Sequence, residues 1–99
     1  MTNMKAILLL DERHILDPDV FVELVVWRVA NPPVRGSAYA FKYRLALVVG
    51  GECVVRFDNE SGKGDHRHLR EKEFPYEFSS PDRLLSDFWR EVDEWRKSR

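Results

Sequence analysis

Apolar and polar residues alternate along the first two thirds of the chain, and a period of two is typical of β-strands. The alternation is strongest over residues 38–49, where odd positions such as Tyr43 and Leu47 are apolar and even positions carry Lys42 and Arg44. This segment predicts a strand with one buried face and one polar face. Apolar runs predict further strands over residues 5–10, 20–30 and 52–58.

The run over residues 20–30 is apolar at both odd and even positions, so we expect this strand to be covered on both faces for much of its length. Turns are predicted where polar or glycine residues interrupt the strands, at residues 11–14, 17–19 and 50–51. Later in the chain, extended segments are expected over residues 66–70 and 74–78.

The glycines at residues 50–51 predict a hairpin. We expect a three-residue loop that begins at Val49, because this register pairs Leu45 with Val55 and keeps apolar residues on one face. On the polar face the same register gives two pairs, Arg44 with Arg56 and Lys42 with Asp58.

Residues 80–82 predict the start of a C-terminal helix. Ser80 suits the N-cap, Pro81 the first helical position and Asp82 the positive end of the helix dipole. Apolar residues then recur at helical spacing, at Leu84, Leu85, Phe88, Trp89, Val92 and Trp95. The sequence therefore predicts an α+β fold, a twisted and mostly antiparallel sheet of about four to six strands with the helix packed on one face.

Composition narrows the class of protein. The chain has 99 residues, of which 43% are hydrophobic, so we expect one folded domain over residues 1–99. A net charge of −1 means that any contact with nucleic acid must depend on a local basic patch. No apolar run is long enough to span a bilayer, and Cys53 is the single cysteine, so we expect a cytoplasmic protein with a buried, unreactive thiol.

The segment GKGDHRH carries the densest chemistry of the chain. In an extended strand, His66 and His68 point to the same face about 6–7 Å apart along the strand, which suits a base and an acid flanking a phosphodiester. Gly62 and Gly64 let the backbone bend, so that Lys63 can hold the phosphate. A solvated charged loop explains the same residues without any chemistry.

Other charged residues are candidates for supporting roles. Lys42, Arg44, Arg56 and Arg67 are candidates for binding the substrate, because a developing phosphorane charge needs cations nearby. Asp58 is expected either to orient one imidazole or to pair with Lys42.

A His-x-His pair on a strand is also a pair of metal ligands, to which Asp58, Asp65 or His14 could add a third. Neither a cysteine cluster nor an HExxH helix supports this interpretation. We therefore assign no metal and no cofactor from the sequence.

Three stretches together resemble the TumE family of toxins from bacterial and archaeal toxin–antitoxin systems. They are KAILLLD at residues 5–11, the strand pair YRLAL and VVRFDN at residues 43–47 and 54–59, and GKGDHRH at residues 62–68. The resemblance implies a small cytoplasmic toxin, generally presumed to be a ribonuclease, encoded beside a helix-turn-helix-type antitoxin that neutralises it. The matching positions are Asp58, Asn59, Lys63, Gly64, His66 and His68, and Gly62 and Asp65 complete the same motif.

Three classes of function stay open at this point. We favour a metal-independent ribonuclease; the alternatives are a metal-dependent nuclease or hydrolase that uses the histidine pair, and a binding module that inhibits its target by occupancy. The expected partners are RNA and the antitoxin, and Lys63 and Arg67 favour an acidic antitoxin segment. A second copy of the chain is a further candidate partner, in a homodimer.

Overall fold

The structure is a computed structural model that describes residues 6–29, 41–59 and 64–98. Within these ranges the chain forms six strands followed by a helix. The elements are β1 (Ala6–Asp17), β2 (Val20–Val29), β3 (Phe41–Val49), β4 (Glu52–Asp58), β5 (His66–Leu69), β6 (Lys72–Pro75) and α1 (Pro81–Lys97). The strands form a single antiparallel sheet in which each strand pairs with the next along the chain, and the predicted α+β class is confirmed.

The hydrophobic core lies between one face of the sheet and α1. The sheet contributes inward-facing residues such as Leu45 and Phe57, and the helix contributes Leu84, Phe88 and Val92, all of which are fully buried. The rings of Phe57 and Phe88 meet edge to face with their centroids 5.9 Å apart, which fixes the helix above β4. The predicted apolar stripe of the helix is therefore its buried face.

The predicted start of the helix is confirmed. The Ser80 hydroxyl accepts a hydrogen bond from the Arg83 backbone N–H at 3.1 Å, and Pro81 is the first helical residue. Apolar residues occupy only one stripe of this 17-residue helix, and in the described part of the chain no helix could cross a membrane.

Three of the predicted strands match β2, β3 and β4 within a few residues at their ends. The outward positions of β2 are half-buried, so only its inward face is covered as fully as we expected. The turn at residues 17–19 is confirmed, but the turn predicted over residues 11–14 is wrong, because β1 continues through it and pairs with β2. An edge strand tolerates such polar residues, since both of its faces can remain exposed.

The turn of the β3–β4 hairpin is shorter than predicted. It contains only Gly50 and Gly51, whose φ angles of 58° and 83° are the left-handed values that a type I′ turn requires. Val49 therefore pairs with Glu52 instead of belonging to the loop.

β4 contains a bulge at Val54. The bulge keeps the apolar residues of β3 and β4 on one face and the polar residues on the other, which a two-residue turn alone would mix. Cys53 pairs with Val48, as a regular two-residue turn requires. The next pair is Leu47 with Val55, so Val54 has no partner on β3. The Val54 carbonyl instead accepts a hydrogen bond from the Arg70 backbone N–H at 2.8 Å.

The bulge changes which charged residues face each other. Arg44 pairs with Asp58, so the expected pairs of Arg44 with Arg56 and of Lys42 with Asp58 are wrong. The physical reason is that a two-residue turn followed by a bulge shifts β4 relative to the register of a three-residue loop. Cys53, which we expected in the core, is half-buried on the face that points away from α1.

Asp87 on α1 has contacts that make the stability of the fold depend on pH. Its carboxylate accepts hydrogen bonds from the Tyr76 hydroxyl at 2.7 Å and from Arg83 Nε at 3.0 Å, and Arg90 Nη1 lies 3.6 Å away. Partial burial raises the pKa of Asp87, but the Tyr76 and Arg83 hydrogen bonds outweigh this effect and hold the pKa below its ordinary value.

Because the pKa of Asp87 is lower in the folded chain than in the unfolded chain, its stabilisation is fully present above about pH 4 and is lost as the pH falls through the lowered value. Asp87→Asn should therefore reduce the free energy of unfolding at pH 7, and the difference from the original chain should vanish in acid. Urea unfolding followed from pH 7 downwards measures this. Asp93→Asn, at an exposed position of the same helix, is the matched control. A deficit in Asp87→Asn that stays constant with pH would contradict the prediction.

Candidate functional site

Two rows of charged side chains cross the face of the sheet that points away from α1. Strand pairing places Arg44, Asp58 and His66 in one row, and Arg56, His68 and Glu73 in the next. Side chains alternate between the two faces along each strand, so all six belong to the same face. The open side of the sheet therefore concentrates the titratable groups opposite the hydrophobic core.

His66 and His68 lie side by side, one in each row. Their ring centroids are 5.5 Å apart and their planes are inclined by 33°. The side chains are 12% and 23% exposed, so both rings are held by their neighbours but remain accessible from the open face.

Asp58 is the most buried charged group of the cluster, with its side chain 7% exposed. Its Oδ2 atom lies 3.2 Å from Arg56 Nε, and its Oδ1 atom lies 3.7 Å from His66 Nδ1 and 3.9 Å from His68 Nε2. Oδ1 is buried and accepts no hydrogen bond from any described residue. An unsatisfied buried oxygen is costly, so this atom is suited to a donor or cation that enters the site.

The two imidazoles share Asp58 and Glu73 as neighbours, since His68 Nε2 lies 3.9 Å from Asp58 Oδ1 and 3.8 Å from Glu73 Oε2, but their shortest contacts differ. Nε2 of His66 lies 3.1 Å from Glu73 Oε2, and Nδ1 lies 3.5 Å from the Asp58 carbonyl oxygen, so both nitrogens face acceptors. Nε2 of His68 lies 3.2 Å from Arg56 Nη2, which can only donate, so this nitrogen is the acceptor. The site thus contains one ring placed to donate protons and one placed to accept them.

Glu73 belongs to the cluster, although the sequence analysis did not select it. It pairs with His68 in the β5–β6 hairpin, and its carboxylate, 54% exposed, lies at the rim. The expected extended segment at residues 74–78 begins later than β6 and so leaves Glu73 out. The polar residues around Arg70 were the sequence signal for a turn that would place Glu73 beside His68. In the structure, Arg70 has a left-handed φ of 58°, and the chain reverses direction there.

Lys42, Arg44 and Arg56 form a basic strip along β3 and β4 on the same face as the histidines. Lys42 and Arg44 are exposed, Lys42 beside Trp27 and Arg44 beside Asp58. The structure therefore places three of the four basic candidates on the face that carries the imidazoles, and Arg56 contacts His68 directly.

Arg67 lies on the opposite face. Its Nη1 atom is 3.3 Å from Glu91 Oε2 on α1, and its guanidinium lies over the Phe74 ring at 5.2 Å. His14 is also remote, on β1, where its imidazole contacts Glu12 at 2.7 Å. The expected contribution of Arg67 to substrate or antitoxin binding stays a prediction that its position does not favour.

Asn59 and Asp65 hold the ends of the segment that connects β4 to β5. The Asn59 side chain accepts the Tyr43 backbone N–H at 2.9 Å and donates to the Phe41 carbonyl at 2.7 Å, extending the pairing with β3 beyond the last residue of β4. The Tyr43 hydroxyl donates to Asp65 Oδ2. Burial and this carboxylate raise the pKa of Tyr43, so the hydroxyl remains a donor.

Gly62 and Lys63 lie outside the described residues, so their expected roles stay predictions. Gly64 is described and has a φ of 76°, a left-handed value that glycine adopts without strain. It leads the chain into β5 just before the two histidines.

Asp58, His66 and His68 also have the donor set of a metal site. One ligand atom from each lies within 4.8 Å of the other two. Nitrogen and carboxylate oxygen donors in this number suit ions such as Zn²⁺. Of the third ligands considered from the sequence, Asp58 is the one beside both rings, whereas Asp65 binds Tyr43.

Comparison with known proteins gives a family match that includes every residue of the cluster. The family model of toxin TumE matches residues 5–96. No curated protein and no solved structure matches the chain.

Asn59→Ala tests whether the site depends on the end of β4. The variant leaves the Tyr43 N–H and the Phe41 carbonyl without their partner, which should cost about 1–3 kcal/mol of unfolding free energy for a buried group. Urea unfolding measures the loss, and Glu77→Ala, at an exposed position, is the control. If both variants lose the same stability, the Asn59 side chain does not hold this end of the strand.

Proposed function

The chain belongs to the TumE family of toxins, and we propose that this toxin cleaves RNA by general acid–base catalysis without a metal ion. The observation that carries the proposal is the pair of neighbouring imidazoles on an open face, one placed to donate and the other to accept a proton.

RNA suits such a site because it contains its own nucleophile. A base takes the proton of the 2′-hydroxyl, the 2′-oxygen attacks the adjacent phosphorus, and the bond from phosphorus to the 5′-oxygen breaks as an acid protonates that oxygen. The products are a 2′,3′-cyclic phosphate and a 5′-hydroxyl. The reaction needs two proton-transfer groups and a cation for the phosphorane, and it consumes no water in this step.

We assign the base to His68 and the acid to His66. In the absence of substrate, Arg56 donates to Nε2 of His68; a phosphate would draw the guanidinium away and leave this nitrogen able to accept the 2′-hydroxyl proton. His66 faces the Asp58 and Glu73 carboxylates, which favour a donating ring until the leaving oxygen takes the proton.

The basic strip supports a polyanionic substrate. Arg56 is close enough to the imidazoles to stabilise the phosphorane, and the exposed Lys42 and Arg44 extend positive charge along the same face. Lys63 is proposed as a further phosphate-binding residue on the basis of its position in the GKGDHRH motif.

A toxin family implies an antitoxin partner. We propose that the antitoxin is of the helix-turn-helix type, that it masks or distorts the histidine site, and that both proteins act in the cytoplasm. The toxin would act as one domain that spans residues 1–99.

A metal-dependent nuclease or hydrolase is the second candidate. The observation that favours it is the position of the buried Asp58 Oδ1 between two imidazoles. The two candidates differ in one measurable respect: chelation leaves acid–base cleavage intact and abolishes metal-dependent cleavage.

His66→Ala and His68→Ala should each reduce RNA cleavage by about 10²–10⁴-fold, because each removes one proton-transfer group. The measurement is cleavage of end-labelled RNA by purified toxin in the presence of a chelator. The rate should have a bell-shaped dependence on pH, since one ring must be protonated and the other unprotonated. An RNA with deoxyribose at the cleavage position should not be cut.

His14→Ala is the matched control, because His14 is the remaining histidine and lies on β1 away from the cluster. Its activity should stay at the level of the original chain. Full activity in both single variants, with the fold intact, would remove the histidines from the mechanism. Growth arrest by a folded double variant would favour inhibition by occupancy.

A further inference from the structure

We propose that Asp58, His66 and His68 bind a divalent transition-metal ion with the preferences of Zn²⁺, and that the bound ion inhibits RNA cleavage. The inhibition rests on the function proposed above, whereas the binding does not.

The ligand atoms are already close to the spacing that such an ion requires. Bonds of 2.0–2.1 Å in a tetrahedral site place neighbouring ligand atoms about 3.3 Å apart. Asp58 Oδ1 lies 3.7 Å from His66 Nδ1 and 3.9 Å from His68 Nε2. A contraction of about half an ångström brings Oδ1 to this distance from both nitrogens. One ligand atom of each of the three residues already lies within 4.8 Å of the other two, so the imidazoles need only tilt toward each other to complete three corners of a tetrahedron.

Asp58 Oδ1 provides the independent observation that a cation fits here. The side chain is 7% exposed, and this oxygen accepts no hydrogen bond from the described residues. A metal ion would satisfy it with a stronger partner than the distant imidazole nitrogens supply.

The outer contacts also have the arrangement of a metal site. Ligating histidines commonly donate their second ring nitrogen to a carboxylate, which orients the ring. Nε2 of His66 faces Glu73 Oε2 at 3.1 Å, while Nδ1 faces Asp58. Arg56 Nε holds the other Asp58 oxygen at 3.2 Å, so Oδ1 is directed toward the histidines.

Arg56 and the metal ion would compete for one lone pair. Arg56 Nη2 lies 3.2 Å from His68 Nε2, the nitrogen that the ion needs and that the base uses. The Arg56 side chain is 34% exposed and can withdraw into solvent. Metal binding would thus occupy the lone pair of the catalytic base, which is the physical reason for inhibition.

The binding test uses purified, chelator-treated chain titrated with ZnCl₂ in a calorimeter. One ion should bind per chain. Asp58→Asn and His66→Ala should each raise the dissociation constant by more than the roughly 10–100-fold that the loss of an outer-shell partner causes. His14→Ala and Cys53→Ser remove potential ligands elsewhere and should not change it.

Arg56→Lys tests the proposal in the opposite direction. It keeps all three ligands and a cation that can pair with Asp58, but one ammonium group replaces the guanidinium fork, so the contact with His68 Nε2 is lost and Zn²⁺ should bind more tightly than to the original chain. This variant decides the question even if Asp58→Asn fails to fold. Binding that survives the loss of Asp58 and His66, or that Arg56→Lys does not strengthen, would overturn the site.

The activity arm measures RNA cleavage during the same titration. Cleavage should fall in parallel with occupancy and return when a chelator is added. If Zn²⁺ binds at the cluster and increases cleavage, the inhibition is overturned and so is the metal-independent reaction. If the chain binds Zn²⁺ as expected but never cleaves RNA, the proposed function fails while the metal site stands.

Discussion

The buried carboxylate of Asp58 is the interaction on which the rest of the site depends. Removing a charge from water is unfavourable unless opposite charges or donors replace the lost hydration. Arg56 forms an ion pair with one oxygen of Asp58, and two imidazoles face the other. The four side chains therefore form one electrostatic unit, and the protonation of either ring affects how well the carboxylate is compensated.

The same strands carry the core and the site. In β4, Phe57 points into the core between Arg56 and Asp58, which point outward. In β5, Arg67 points inward between the two histidines and binds Glu91 of α1. Packing and ion pairing on the inner face thus fix the backbone that positions the outer groups, which is how a small chain can hold a cluster rigidly on an open surface.

Most of the fold and part of the site are predictable from sequence because they depend on local patterns. The alternation in β3 and the N-cap of α1 need only neighbouring residues, and so does the placement of His66 and His68 on one face. The failures involve the pairing between strands, which neighbouring residues do not determine. The bulge at Val54 depends on a hydrogen bond from Arg70, and Glu73 reaches the site only through the β5–β6 turn.

The bulge at Val54 also determines which changes in chain length the toxin can tolerate. Side chains of β4 alternate between the two faces of the sheet after Gly51, and the bulge at Val54 adds one residue to this alternation. Deleting one residue between Gly51 and Arg56 would remove the bulge and leave Arg56 opposite Ala46 on the open face, whereas inserting one would turn Arg56 and Asp58 toward the helix and Phe57 toward solvent. A change of two residues would preserve the faces. Over evolutionary time, this strand should therefore accept substitutions far more readily than single-residue insertions, although it lies next to a surface turn where length variation is usually harmless.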